Sequence, residues 1–286
     1  MKRNMILTLA ALLLAALNVA ASTTPVLEVD LRGPTRPVHG SVVKAPGADG
    51  KTGPLADPLG VLRKPIPDKL VVLTFDDGCS THATYVAPLL KSLGFNGSFY
   101  LCTFNSFTNK NWYMSWKQMK EMVKDGFEIG NHTRHHTAGA GIGPFLDMEN
   151  EMIRNGLPKP TTQVWPSYVP NTKTFADLAS NQYIFARGGH FRAYRPTVDN
   201  PFDIPSVNPK DMKTFIRDVK QAANGSVVVI TYHGVPDYEH GFAGCDPKIF
   251  KEMMQYLKDN NYKVIGLRDL AEYIDPAKAA KLPPTR

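Results

Sequence analysis

Residues 70–78 have the sequence LVVLTFDDG, an uninterrupted run of apolar and strand-favouring residues that ends in two acids and a glycine. Apolar runs without alternation are typical of strands that are buried on both faces of a parallel sheet. Such a strand would carry Asp76 and Asp77 to its own C-terminal end. The plainer interpretation of Asp-Asp-Gly is a capped turn, so the pair needs a second observation before it indicates a site.

A second cluster of polar residues supplies that observation. The segment GFEIG at residues 126–130 leads into NHTRHH at residues 131–136, which places His132 and His136 four residues apart. On one helical turn their imidazoles would share a face, although such pairs are also common on solvated helix surfaces. One carboxylate with two imidazoles is the ligand set of catalytic zinc-type sites, which keep a position open for water. The combination predicts a metal site with a second carboxylate free to act as a base.

Strand-like and helix-like segments alternate from residue 70 onward. This order indicates βα units and an α/β barrel, in which the loops after the strands share one face. Asp76, Asp77, His132, His136 and His233 all follow predicted strands, so they can meet on that face. The predicted strands are 70–75, 96–101, 127–130, 163–165, 183–186, 226–232 and 262–266, and the predicted helices are 83–93, 115–125, 146–155, 173–180, 210–223 and 247–259.

Three segments, taken in order, resemble the motifs of the polysaccharide deacetylases, carbohydrate esterase family four with its NodB homology domain. They are TFDDG at residues 74–78, HTRHH at residues 132–136 and VITYHG at residues 229–234. The similarity runs from about Lys69 to Tyr273. It implies a distorted (β/α) barrel of about seven strands.

The resemblance also implies roles for the polar residues. Asp77, His132 and His136 would bind a divalent metal, Asp76 would take a proton from water, and His233 would protonate the departing group. We expect zinc, although a carboxylate with two imidazoles also suits cobalt, nickel, manganese or iron.

The loop WPSY at residues 165–168 corresponds to a family segment that supplies an oxyanion donor. We expect the backbone N–H of Tyr168 to be that donor, with Trp165 as a further substrate-binding candidate. Many relatives carry an arginine near the start of this segment that orients the base. The matching residue here is Trp165, so Arg187 or Arg195 is expected to replace that arginine from elsewhere.

The family motif that tunes the catalytic histidine also lacks a clean match. Asp199 and Asp203 are the candidates to act on His233, with Asp203 preferred, although acids beside proline are usually turn formers. His135, between the two imidazole ligands, is expected to point away from the metal, because each residue of a helix turns by about 100°.

The first 21 residues have the pattern of a signal peptide. Lys2 and Arg3 are followed by the apolar stretch 5–17 and by small residues, so cleavage is expected after Ala21. An uncleaved anchor is the alternative, but the stretch is short for a spanning helix of about 20 residues. We therefore expect a secreted or periplasmic protein with an irregular tether at residues 22–68 and a catalytic domain at residues 69–286.

The charge does not favour a polyanion-binding protein. The net charge of +7 falls to +5 without the signal peptide, since Lys2 and Arg3 leave with it and no acid does. No basic run is interleaved with aromatic residues, so nucleic acid is not an expected partner. The expected partner is an acetylated carbohydrate, with no stable membrane insertion after cleavage and no evident protein partner.

Cys79, Cys102 and Cys245 are the three cysteines of the chain, so at least one would stay unpaired in an exported protein. Cys79 and Cys102 follow neighbouring predicted strands, which makes a disulfide between them a hypothesis.

The resulting functional prediction is an exported, metal-dependent hydrolase that removes N-acetyl groups from a polymer or oligomer of N-acetylglucosamine. The nearest alternative is an O-acetyl esterase acting on xylan with the same residues. A second alternative is a carbohydrate-binding barrel without catalysis. A zinc peptidase is disfavoured because no glutamate directly follows His132.

Overall fold

The computed structural model describes residues 56–286. The predicted signal peptide and most of the predicted tether lie outside the described residues. Among the helices of residues 56–286, none combines the length and the apolar character that crossing a bilayer requires.

Parallel strands form the centre of the fold, in the spatial order β6-β5-β4-β3-β2-β1-β7, and β8 pairs with the first half of β1. Val207, directly after β6, forms a parallel bridge with Ile230 of β7, which brings the two ends of this order together. The result is a curled, distorted barrel of seven strands, as predicted. The strands are β1 (Leu70–Phe75), β2 (Ser98–Leu101), β3 (Glu128–Asn131), β4 (Thr162–Val164), β5 (Phe185–His190), β6 (Ile204–Ser206), β7 (Val228–Tyr232) and β8 (Lys263–Ile265).

Helices on the outside of the barrel begin where the sequence supplies caps. Ser115 and Gln118 form a reciprocal capping box at the start of α2, and the Asp246 carboxylate accepts two backbone N–H bonds at the start of α6. Gly94 ends α1 in the left-handed conformation. The helices are α1 (Ala87–Leu93), α2 (Trp116–Lys124), α3 (Ile142–Arg154), α4 (Phe175–Ser180), α5 (Met212–Val219), α6 (Pro247–Asp259) and α7 (Pro276–Ala279), and a π-helical turn (His82–Val86) precedes α1.

Several elements differ from the sequence prediction. The helix α7 was not predicted, α5 ends four residues before its predicted end, and β5 ends four residues after its predicted end. The strand β6 was not predicted, because it has three residues and contains Pro205, which argues against a strand. The helix α3 begins at Ile142, four residues before the predicted start, because Pro144 lies in its first turn, where a missing N–H costs nothing.

Apolar residues form one layer outside the barrel and another inside it. On β1, Val71, Leu73 and Phe75 belong to the outer cluster with the helices, and Leu70 and Val72 belong to the inner cluster. Side chains alternate along a strand, so Asp76 continues the inward-facing series at the barrel mouth.

Close packing inside the barrel depends on Gly130. A Cβ atom at Gly130 would lie 2.3 Å from the ring of Tyr100, which therefore occupies the space that a side chain on β3 would fill.

Residues before β1 also pack against the barrel. Val61 and Ile66 are buried in the inner cluster together with Leu270 and Tyr273. Leu62 forms an antiparallel bridge with Ile274. The part of residues 22–68 that the structure describes thus contributes to the core, and the predicted domain start at residue 69 stays a prediction.

Candidate active site

Polar side chains from the carboxyl ends of the strands meet in one cavity of about 460 Å³ at the barrel mouth. Asp76 and Asp77 follow β1, His132 follows β3, and His233 follows β7. His136 completes the group from the loop after β3. The five residues that the sequence predicted to meet on one face do meet.

Asp77, His132 and His136 each present a ligand atom, and these atoms lie within 4.8 Å of one another. The Nε2 atoms of His132 and His136 are 3.5 Å and 3.8 Å from Oδ1 of Asp77. His132 donates its Nδ1–H to the carbonyl of Val164 at 3.0 Å, which fixes the ring with Nε2 toward the trio.

The electrostatics of this trio fit a bound cation. Burial and the neighbouring carboxylates of Asp76 and Asp237 raise the pKa of Asp77 to about 8, so a positive charge beside it would be stabilising. Burial lowers the pKa of His132 to about 3, which keeps its imidazole in the neutral form that binds metals. The donor set and its environment thus suit a divalent metal ion.

The conformation predicted for the histidine pair is wrong. Residues 132–136 form a loop and not a helical turn, with φ of 58° at Thr133 and 52° at His136. The Asn131 side chain accepts the N–H of Thr133, a local bond that competes with helix formation. The two imidazoles still pack edge to face, with their ring centroids 4.7 Å apart.

His135 lies outside the trio, as predicted, although the reason differs. Its side chain is exposed, and Nδ1 donates to the carbonyl of Thr103 at 3.3 Å.

Asp76 is held by Arg187, an arginine of β5 that is fully buried. Nη2 of Arg187 donates to both carboxylate oxygens of Asp76, at 2.5 Å to Oδ1. Burial opposes ionisation of Asp76, yet the charges of Arg187 and His132 hold its pKa below its ordinary value. Arg195, the other candidate, instead lies 3.7 Å from Asp199.

His233 lines the same cavity beside the trio. Its Nε2 lies 3.8 Å from Oδ2 of Asp77, and its backbone carbonyl accepts a bond from Nε2 of His82 at 3.2 Å. Burial lowers the pKa of His233, and the charge of Asp76 opposes that shift. Within residues 56–286, the buried Nδ1 of His233 has no hydrogen-bond partner.

The prediction that Asp203 tunes His233 is wrong. Oδ2 of Asp203 accepts a bond from Nε2 of His190 at 2.9 Å, at the end of β5. Asp203 lies over Gly188, where a Cβ atom would be 2.3 Å from its Oδ1. Asp199, the other candidate, instead accepts two hydrogen bonds from Arg192.

Comparison with known proteins finds similarity in both sequence and fold. Residues 63–169 match the family model described as polysaccharide deacetylase. This part of the chain therefore resembles the polysaccharide deacetylases. The match ends at Val169, so it includes the segments of Asp76, Asp77, His132 and His136 and lies before His233.

Individual proteins that resemble this chain agree with that result. A peptidoglycan-N-acetylglucosamine deacetylase of Bacillus cereus is 32% identical over 83 residues, which are 28% of this chain and 36% of the relative's own length. The crystal structure of the Bc1960 peptidoglycan N-acetylglucosamine deacetylase superimposes with a TM-score of 0.53 at 16% identity, covering 72% of this chain and 89% of that one. The structural likeness supports the fold.

The loop at residues 165–168 differs from both expectations. Trp165 is fully buried, and its Nε1–H donates to the carbonyl of Phe202 at 2.8 Å, so its ring has no face free for a sugar. The backbone N–H of Tyr168 donates to the carbonyl of Trp165 at 3.0 Å and is therefore not a free oxyanion donor. The side chain of Tyr168 instead lines the cavity and receives a bond from Nδ2 of Asn208 at 3.3 Å.

The disulfide hypothesis is also wrong, because Cys79, Cys102 and Cys245 are all free thiols. Cys79 donates to Asp237 at 3.4 Å, and Cys102 donates to Asp77 at 3.6 Å. The two thiols are thus directed at different carboxylates, and burial raises the pKa of both.

Several residues that line the cavity were not predicted. Phe104 stands between His136 and His240, with ring centroids 5.4 Å and 5.3 Å away. Lys210 and Phe242 complete the wall, and Phe242 is 88% exposed. These residues, Phe104, His240, Lys210 and Phe242, lie in loops or at turns. No sequence periodicity there indicates which side chains face the site.

Proposed function

We propose that this protein is a metal-dependent carbohydrate deacetylase that hydrolyses N-acetyl groups of an N-acetylglucosamine-containing chain and releases acetate. The observation that carries the proposal is the trio Asp77, His132 and His136 with a second carboxylate, Asp76, in the same cavity. The similarity to the peptidoglycan-N-acetylglucosamine deacetylase of Bacillus cereus supports this choice of substrate.

Asp77, His132 and His136 would hold the divalent metal, for which zinc is our expectation. When bound, such an ion polarises the acetyl carbonyl and makes a water molecule more acidic.

Asp76 is our candidate for the general base. Its carboxylate is ionised and fixed by the Arg187 guanidinium, so it can accept a proton from water as the water oxygen attacks the acetyl carbon. Arg187 is a positioning residue in this scheme, because it acts on the substrate only through Asp76.

His233 is our candidate for the general acid. Its Nε2 lies 3.8 Å from Oδ2 of Asp77, so it would be within reach of the nitrogen of a substrate amide bound at the trio. Donation of a proton to that nitrogen allows the C–N bond to break, and the products are an amine and acetate.

The decisive experiment is acetate release by the purified, zinc-loaded protein. N-acetylglucosamine oligomers, peptidoglycan and acetylated xylan would be tested in parallel, with Asp76→Asn as the matched variant. We expect activity on the amide substrates, and we expect Asp76→Asn to bind zinc while losing about 10²–10⁴-fold in kcat.

The other outcomes are equally clear. Activity on xylan alone would replace the proposal with an O-acetyl esterase. Tight zinc binding without acetate from any of the three substrates would indicate a barrel that binds carbohydrate and does not cleave it.

Export belongs to the proposal as well. Expression of the full chain in a bacterium should yield a secreted or periplasmic protein whose N-terminal sequence starts at Ser22. A protein retained in the cytoplasm with Met1 intact would contradict this part.

A further inference from the structure

A second depression of about 320 Å³ lies beside the cavity at the barrel mouth. Asn208 and Lys210 line both, so the two adjoin, and we call them together the groove. Phe191 stands on the wall of the second part and is 68% exposed. The groove is therefore longer than the group of five polar residues in the first cavity.

The backbone that presents Phe191 is strained. His190 and Phe191 have φ of 62° and 51°, so two successive residues with side chains adopt the left-handed conformation. Ser167 and Tyr168 do the same at the facing loop, with φ of 55° and 59°. This conformation is unfavourable for residues other than glycine and persists only where surrounding contacts enforce it. Burial of the Phe191 ring does not compensate for the strain, since that ring is mostly in solvent.

Specific contacts maintain this arrangement. Asp203, which is buried, bonds to His190 at 2.9 Å and so fixes the residue before Phe191. The ring of Phe191 lies 5.9 Å from the ring of Tyr168, which in turn lies 5.2 Å from the guanidinium carbon of Arg187. A row of contacts thus leads from the partner of the candidate base to an exposed aromatic ring.

We propose that Phe191 is a platform for the sugar unit next to the one that is deacetylated, so that the substrate is a chain and not a single sugar. This inference rests on the proposed function and specifies its substrate. An aromatic face packs well against the C–H face of a pyranose ring, while the polar side chains around it meet the hydroxyl groups.

Asn208 supplies a polar group at the junction of the two parts of the groove. Its Nδ2 donates to the hydroxyl of Tyr168, and its Oδ1 is buried without a hydrogen-bond partner in the described part of the chain. A buried acceptor of this kind is costly unless a ligand or water satisfies it. A sugar hydroxyl bridging the two parts of the groove would do so.

The test measures kcat/KM for mono-, di- and pentasaccharides of N-acetylglucosamine with the zinc-loaded protein and three variants. Phe191→Ala removes the platform, Phe191→Tyr keeps an aromatic face, and Ile153→Ala removes an exposed apolar side chain from α3, outside both parts of the groove. We expect Phe191→Ala to lose about tenfold on the pentasaccharide, through KM, which is the size of one aromatic stacking contact. The other two variants should match the wild type.

A binding measurement separates this inference from the proposed function. Calorimetric titration of Asp76→Asn protein with the pentasaccharide, with and without Phe191→Ala, reports the platform whether or not acetate is released. Equal affinities in that titration, or an equal loss on every chain length in the kinetic assay, would overturn the inference. If Phe191→Ala weakens pentasaccharide binding in that titration and the wild-type protein releases no acetate, the platform is supported and the proposed deacetylase activity is rejected.

Asp203 acts in this scheme as a positioning residue. Asp203→Asn should raise KM for the pentasaccharide in the same direction as Phe191→Ala. A fall in kcat on every substrate would instead assign Asp203 to the structure of the catalytic cavity.

Discussion

At the scale of single residues, the pairing of Asp76 with Arg187 decides the state of the candidate base. Both side chains are buried, and the guanidinium contacts both carboxylate oxygens. Removing one partner of a buried ion pair leaves an uncompensated charge, which typically costs about 3–5 kcal/mol.

Arg187→Met should therefore lower the free energy of unfolding by about that amount and reduce kcat. Urea unfolding of the two single variants and of the double variant Arg187→Met, Asp76→Asn measures the change in the free energy of unfolding. The double variant should regain part of the stability that Arg187→Met loses. Additive losses would show that the two side chains do not interact as described.

Some positions in the site follow from the sequence and others do not, and the difference has physical reasons. Asp76 and Asp77 could be placed because a buried strand fixes where its own end lies. Arg187 was only one of two candidates, since it reaches Asp76 through the curvature of the sheet, across 111 residues of chain. The pairing of Asp203 with His190 depends on the same kind of contact between strands and left no local pattern.

At the scale of elements, a buried polar network joins three strands and the segment after β8 at the end of the barrel opposite the cavity. Glu128 of β3 accepts bonds from Ser98 of β2 and Thr162 of β4, and from the backbone N–H of Arg268 beyond β8. Burial raises the pKa of Glu128, and bonds from Ser98 and the charge of Arg268 only partly oppose this. The fold thus favours the protonated form more than the unfolded chain does.

The sign of the resulting pH dependence follows from linkage. A carboxyl whose pKa is raised by folding contributes stability that is complete below its unfolded value of about 4.3 and is lost as the pH rises through the folded value. The wild type should therefore lose stability relative to Glu128→Gln between about pH 4 and neutral pH. Urea unfolding of both proteins across that range checks this, and a difference that stays constant with pH would contradict it.

Some elements can be predicted from local sequence patterns alone. Caps at Ser115 and Asp246 and the apolar run of β1 are signals carried by neighbouring residues, and those elements lie where they were predicted. By contrast, β6 is a strand because it pairs with β5, and Val207 directly after it bridges to β7. No local pattern in its three residues indicates these contacts.

At the scale of the whole molecule, the candidate metal ligands follow the ends of β1 and β3, which flank β2. An ion held by Asp77, His132 and His136 would therefore link two strands that do not pair directly. Binding to the folded state alone stabilises a protein by about 2.7 kcal/mol when the free ligand is at a hundred times Kd.

Removal of the metal with a chelator should accordingly lower the midpoint of thermal unfolding, and added zinc should restore it. His136→Gln should abolish this response. His135→Gln is the matched control and should retain the response, because His135 bonds to Thr103 outside the trio. An identical zinc response from both variants would show that the ion binds elsewhere.

The alternation of side chains along β1 has a consequence for any attempt to redesign this protein. Asp76 lies in phase with the inward-facing residues Leu70 and Val72, whereas Asp77 leaves the strand in a left-handed turn with φ of 71°. Which of the two acids faces Arg187 thus depends on the alternation of side chains along β1. An insertion of one residue in β1 would present the wrong acid to Arg187, while an insertion of two would preserve the pairing and only shift it outward.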